Sequence, residues 1–494
     1  MNPTSPESQT GATNAASCRV PFLALFGGGA LWLVVGLTLA ILASLTFHKP
    51  DIFANCAWLT YGRLQPAAND AIVYGFCVPA ALGVILWIFC QLSESELLLP
   101  LLPIVGANLW HLGVFVGLIE ILIGGSTGFP SLEFQRGGSV LLFAAFLLIA
   151  ISAFATFGAR RRRELHPSHW FLLAALFWFP WIYSTANLFL MAWPVRGVCQ
   201  AVVDWWFCAN FLFVWTALAG IGVGLFYLFG GPNDEEATGP DDNQRFLTLF
   251  SFWTLILFGA WCGIPQGAPV PAWLPALSAV GAALTILPIL TIASVALRAV
   301  RTRGAAPCRG GPRCSILFGT AFFVISGIMF VALGCPHIGP VIELTWFAFA
   351  QTQLQILGFL TIVLCGAICA LMPRVMGFDL VFPRLARVRH WLFISGIVLF
   401  AGALAVGGIL QGLKLQSLAP FATVTASVLP FYRVSTTGLL FLWLGALLFA
   451  LNIFGMTLKW KLARLHSCLA WLRAPEETIA AADTAAAAGN GRAK

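Results

Sequence analysis

Charge is what this sequence has least of. Only 9% of its 494 residues are Asp, Glu, Lys or Arg, while 59% are hydrophobic; an ordinary soluble domain is about a quarter charged. One aqueous core could not hide that much apolar surface, so a soluble enzyme is excluded. Short chemical signatures are missing too. The thirteen cysteines are scattered, with no Cys-x-x-Cys, no Cys-x-x-Cys-His for covalent heme and no zinc spacing. Cys365 and Cys369 share a helix face, which small polarizable packing residues explain. There is no Walker motif and no GxGxxG after a strand. The net charge of +8 reads as a sorting signal, and nothing points to nucleic acid.

What is present is a series of long apolar runs. A helix needs roughly 20 such residues to cross a bilayer, and in lipid its backbone groups must be satisfied within the segment, so the spans are helices. Twelve are predicted, at 22–46, 70–92, 97–124, 138–158, 169–193, 200–229, 245–264, 273–297, 315–334, 346–372, 389–412 and 436–457. With the N-terminus inside, six of the 27 Lys and Arg fall outside (Lys49, Arg63, Arg136, Arg196, Lys414, Arg433) and the other 21 inside. The positive-inside rule then puts both termini in the cytoplasm and the chain in the cell (inner) membrane. Residues 1–21 read as a flexible polar tail, 22–458 as the membrane domain and 459–494 as a basic, then Ala-rich, tail. The first span reads as an anchor and not a cleaved signal. The segment Gly231 to Asp242 is an acidic loop.

Four stretches carry a resemblance. WLTYGRLQPAANDAIVYGF (58–76), DWWFCAN (204–210), FWTLILFGAWCGIPQG (252–267) and WFAFAQTQLQILGF (346–359), the last continuing to Gly366 and Pro373, resemble in order and spacing the second, sixth, seventh and tenth helices of heme-copper oxidase subunit I, nearest its cbb-type (C-family) form. The resemblance implies an all-α, twelve-helix membrane fold. In the family two b-type hemes and a copper stand between those helices, held by six histidines with a tyrosine beside them, because neutral imidazole suits both iron and copper.

Carrying those positions over gives a consistent negative. The second-helix heme ligand falls on Ala68 and the sixth-helix copper ligand on Ala209, next to Asn210. The seventh-helix His-His pair falls on Pro265 and Gln266, and the tyrosine on Gly259. The two tenth-helix heme ligands fall on Gln351 and Gln353. The sequence thus describes a cofactor scaffold without its ligands, and no heme or metal is expected. Of seven histidines only His111 lies well inside a span; His166, His169, His390 and His466 sit in or beside basic segments. The spaces that hemes would fill are expected to hold side chains or lipid. Gln351 and Gln353 point about 200° apart on a helix, so they address two different interhelical spaces, as polar links or as the lining of a small-molecule or water path.

Ionisable groups inside a membrane are functional candidates by default. His111 and Glu120 share the third span but lie nearly opposite around it. His111 reads as a packed, hydrogen-bonded histidine, with proton transfer or a metal as the alternatives. Glu120 reads as a proton-path group or a paired acid. Asp70 and Asp204 are expected at the membrane interface, neutralised by Arg63 or Arg196. Three functions stay open: a non-catalytic component of a respiratory oxidase-type complex, with other respiratory subunits and c-type cytochromes as partners; a proton- or small-solute-translocating protein reusing the fold; and an oxidase with unrecognised ligands.

Overall fold

The computed structural model describes residues 6–161, 164–230, 239–302, 311–417 and 419–472. Twelve long helices follow one another: α1 (Pro6–His48), α2 (Tyr61–Ser93), α3 (Leu101–Ile123), α4 (Arg136–Gly158), α5 (Pro167–Ala192), α6 (Val198–Phe229), α7 (Asp242–Gly259), α8 (Trp273–Thr302), α9 (Pro312–Gly334), α10 (Trp346–Met376), α11 (Pro383–Gln416) and α12 (Phe421–Leu472). No strand occurs among the described residues.

Eleven of these helices are long and apolar enough to cross a membrane. The exception is α7, whose first turn is Asp-Asn-Gln-Arg. A capping box between Asp241 and Gln244 starts it, and Arg298 of α8 pairs with Asp241 and holds that carboxyl below its usual range. Three boundaries correct the sequence reading. Helix α1 begins at Pro6, not at residue 22, and Cys18 is already buried. Helix α12 runs on to Leu472. Helix α7 stops at Gly259, because Gly263 (φ +97°) and Pro265 turn the chain before residue 266. The acidic residues Asp234 to Glu236 and the tail from Arg473 lie outside the described residues.

Burial sorts the helices into two layers. The apolar stretches of α2, α6 and α10 are 100%, 89% and 94% buried, whereas those of the other candidate spans are only 33–50% buried. These three are therefore the inner helices, and the rest turn one face outward to lipid. Each inner helix contains a π-turn: Val73–Cys77, Asn210–Trp215 and Leu354–Thr361. Such turns rotate the side chains that follow them and recur at functional sites. Small residues let the layers close up. A Cβ on Gly36 of α1 would lie 3.1 Å from the Ala68 carbonyl of α2 and 2.7 Å from Ile72, so α1 and α2 pack nearly backbone to backbone. The bundle has two ends, a Lys49 end, where α1 finishes, and an Arg160 end, where α4 finishes.

Candidate functional site: two spaces beside α10

Gln353 faces α2. Its Nε2 donates to Asn69 Oδ1 at 3.1 Å, and Gln65 Nε2 donates to the same oxygen at 3.2 Å. Three amides thus form a ladder between α2 and α10. The space next to it is closed by rings. Phe47 stacks on Tyr432 with centroids 4.8 Å apart and meets Trp346 edge-on at 5.4 Å, and Phe400 adds to the wall. What remains is about 30 Å³, roughly the liquid volume of one water.

Gln351 faces the opposite way, toward α9. Its Nε2 donates to Ser326 Oγ at 3.1 Å, and that hydroxyl donates back to the Gln351 carbonyl at 3.3 Å. Here a half-enclosed cavity of about 250 Å³ persists, walled by Trp205, Ala209, Phe213, Phe330, Glu343, Gln351 and Thr352 among others. Side chains therefore close the first of the two spaces, and the second keeps a cavity. In the second, the loop after α7 packs closely on α6: a Cβ on Gly263 would come within 2.3 Å of the Ala209 Cβ. That loop carries Gln266, whose Nε2 donates to the carbonyls of Pro275 (3.0 Å) and Gly334 (3.3 Å). Its backbone N–H donates to Glu343 Oε2 at 3.1 Å, while burial pushes the Glu343 carboxyl up to about 7.

These residues do not fit two hemes and a copper. Ala68, Ala209 and Pro265 have no side-chain donor atom, while Gln266, Gln351 and Gln353 donate through Nε2 to protein partners and offer only a carboxamide oxygen, a poor ligand for heme iron, in place of imidazole. Gly259 packs against Val214 at the end of α7. Among the described residues no group of three or more His, Cys, Asp or Glu converges as a metal site would require.

The histidine inventory needs correcting, though in a way that leaves the fit unchanged. His169 and His390 are 2% and 1% exposed, more buried than His111. His169 Nδ1 accepts from the His166 backbone at the start of α5, and burial pushes His166 down to about 3. His390 is within hydrogen-bond distance of Ser315 at 2.9 Å. Both lie at the Arg160 end, away from the two spaces. His111 Nε2 donates to the Ala24 carbonyl of α1 at 3.1 Å and sits over Gly28. Glu120, half-buried, faces Gly137 of α4 and has one oxygen without a donor. Asn210 ties three helices together: its Nδ2 donates to Trp206 and Ala260 (2.8 and 3.1 Å), and its Oδ1 accepts from Trp178 at 3.3 Å.

The acids at the Lys49 end also depart from expectation. Arg63 donates to the Leu122 carbonyl at 3.0 Å and, among the described residues, neither Arg63 nor Arg196 pairs with Asp70 or Asp204. Asp70, 1% exposed, lies instead against Glu133 of the loop between α3 and α4. Each has one buried oxygen with no donor, and one shared proton would serve both. Burial pushes Glu133 up to about 7. The sequence reading passed over Glu133, although its neighbours Leu132 and Phe134 are apolar residues of the kind that carry a loop acid inward. It also passed over Gln355, whose Nε2 donates to Thr216 of α6 at 2.9 Å and which continues the alternation begun by Gln351 and Gln353.

Comparison with known proteins agrees with this architecture. The family described as Cytochrome C and Quinol oxidase polypeptide I matches residues 21–441. The chain is 21% identical to the Cbb3-type cytochrome c oxidase subunit CcoN1 of Stutzerimonas stutzeri, over 85% of this chain and 89% of that protein. It is 22% identical to cytochrome c oxidase subunit 1 of Rhodobacter capsulatus, over 87% and 83%. A solved chain of a heme-copper terminal oxidase dimer superimposes with a TM-score of 0.71 at 13% identity, covering 89% of this chain and 84% of its own. With its all-helical bundle and a family match over most of its length, the chain belongs to the cytochrome c and quinol oxidase polypeptide I family.

Proposed function

We propose that this protein is a non-catalytic, subunit-I-like component of a respiratory oxidase-type complex in the cell membrane, working beside other respiratory subunits and c-type cytochromes. The observation that carries this reading is the Gln65–Asn69–Gln353 ladder. Where the resemblance calls for two axial imidazoles, this chain has Ala68 and an amide bonded across to α2. A carboxamide oxygen is a poor iron ligand but a good hydrogen-bond partner, so the ladder joins helices instead of holding a group between them. The basic residues at the Arg160 end support termini in the cytoplasm. Purification of the tagged chain from its native membrane tests the proposal. Cytochrome-containing subunits in stable stoichiometry, with no heme remaining on the chain after it is separated from them, is the expected result. A chain that purifies alone under mild conditions contradicts it.

A second reading, proton translocation, is favoured by the Asp70–Glu133 contact. Two buried acids with one unpartnered oxygen each make a plausible proton store beneath the loop at the Lys49 end. Proton flux in reconstituted vesicles, compared between the parent and Glu133→Gln, separates this reading from a purely structural one.

A further inference from the structure

The cavity beside Gln351 has a chemistry of its own. Its polar groups are acceptors. Glu343 spends one carboxylate oxygen on the Gln266 N–H, leaving the other for a ligand. Gln351 uses its Nε2 on Ser326 and its backbone carbonyl accepts from the same hydroxyl, leaving its side-chain Oε1. Thr352 donates its proton to the Ala348 carbonyl at 3.2 Å, leaving the lone pairs of its hydroxyl. Three aromatic rings stand in the remaining wall, which Leu212, Leu333 and small residues complete: Phe213 and Phe330 stack at 3.8 Å with planes 7° apart, and Trp205 stands near the start of α6. No Lys, Arg or His lines the cavity among the described residues.

A ligand for such a site must bring positive charge and tolerate aromatic faces. Anions are excluded by Glu343 with no cation to offset it, and a neutral apolar solute would leave three acceptors unmet. Ring faces attract organic cations electrostatically, most strongly when the site is shielded from water. The size fits as well: 250 Å³ is just below the usual range for small-molecule pockets, enough for a compact ammonium ion and too little for a heme. A bare hard metal ion takes about six to eight oxygen ligands, and only Glu343, Gln351 and Thr352 offer a side-chain oxygen among the described lining.

We infer that the cavity bounded by Glu343, Gln351, Thr352, Trp205, Phe213 and Phe330 binds a small organic ammonium ion, with the Glu343 carboxylate as counter-ion and the rings as its cage. The inference rests on the preceding reading to one extent: the catalytic heme of the family must be absent from this space.

Equilibrium binding of radiolabelled tetramethylammonium to the purified full-length chain in detergent tests it. This probe keeps its charge at every pH, so only the protein titrates. Glu343, pushed up to about 7, is the carboxylate of the cavity; the other titratable groups of the lining and its loop are the Cys208 and Cys335 thiols and His337. Saturable binding is expected, tighter at pH 8 than at pH 6 by about tenfold as Glu343 ionises. Glu343→Gln should weaken binding at least about tenfold at pH 8 and flatten the pH dependence. Ala348→Leu, which fills the cavity without touching the carboxylate, should abolish binding. Neutral tert-butanol should not compete. Absence of saturable binding by the folded parent at pH 8, equal competition by tert-butanol, or full affinity in folded Glu343→Gln would each overturn the inference. If Glu343→Gln does not fold, the parent's pH profile and Ala348→Leu decide. The absorption spectrum of the same sample keeps the two claims apart. A stoichiometric heme band defeats the non-catalytic reading, whereas a heme-free chain that ignores tetramethylammonium defeats only this one.

Discussion

The family resemblance implies a heme in each of the two spaces beside α10, and in this chain the two spaces differ. Beside Gln353, aromatic rings from α1, α10, α11 and α12 have closed in, leaving room for about one water, and an amide ladder locks α10 to α2. Beside Gln351, the loop after α7 lies against Ala209, and a cavity of 250 Å³ lies beside Glu343. An apolar void forfeits dispersion contacts at about 24 cal/mol per Å³, so a space without polar lining collapses unless something fills it. Lined with a carboxylate, an amide and a hydroxyl, the second space can hold water or a polar ligand, and so it can stay open.

The sharpest way to break this comparison is to remove packing from each side. Phe400→Ala, on the closed side and 5% exposed, should destabilise by roughly 3 kcal/mol, a large downward shift of the thermal transition in detergent. Thr352→Ala, on the open side, should stay within about 0.5 kcal/mol. Equal losses would mean that the two spaces are equally packed.

Next in size is the pH dependence. Glu133 and Glu343 both have folded values near 7, above the ordinary value of about 4.3. Folding therefore takes up protons between those limits, and stability present at pH 4–5 is lost as pH rises through 7. Melting curves at pH 5 and pH 8 should show the parent more stable at the lower value, with a smaller difference in Glu133→Gln. An unchanged difference would remove Glu133 from the account. A smaller effect separates the glutamines. Gln353→Leu breaks the ladder and should cost about 1 kcal/mol, measured by thermal or chemical denaturation. Gln351→Leu should cost less, since Ser326 still donates to the Gln351 carbonyl. The reverse order would mean that the open side is the one held by hydrogen bonds. The smallest expected effect on stability is at Glu120. Glu120→Gln should leave stability and assembly unchanged while lowering proton flux through the complex, and unchanged flux would make Glu120 structural.

The membrane fold was legible because apolar runs of span length leave few alternatives, and α2, α6 and α10 could be placed by the residues quoted for them. The ends were less legible. A helix end is set by capping and by close approach, such as Gly263 against Ala209, which no run of hydropathy records. At Ala68 and Gln353 the residue types stand in the sequence itself, and the structure adds their partners, such as Asn69 for Gln353. The site was not legible where it is a meeting of distant segments. Asp70 finds Glu133 across a loop, and Glu343 finds Gln266 from the far side of α8 and α9. His390 reads as a residue of a basic surface segment, yet it is 1% exposed because α9 covers it.

We propose that side chains join the inner helices of this chain in the spaces where the family resemblance implies cofactors. The most direct test is the reduced-minus-oxidised absorption spectrum of the purified chain, paired with metal analysis of the same sample. The account predicts no stoichiometric b-type heme band and no copper. A b-type band at one heme or more per chain would contradict it, and would require axial ligands other than Ala68, Gln351 and Gln353.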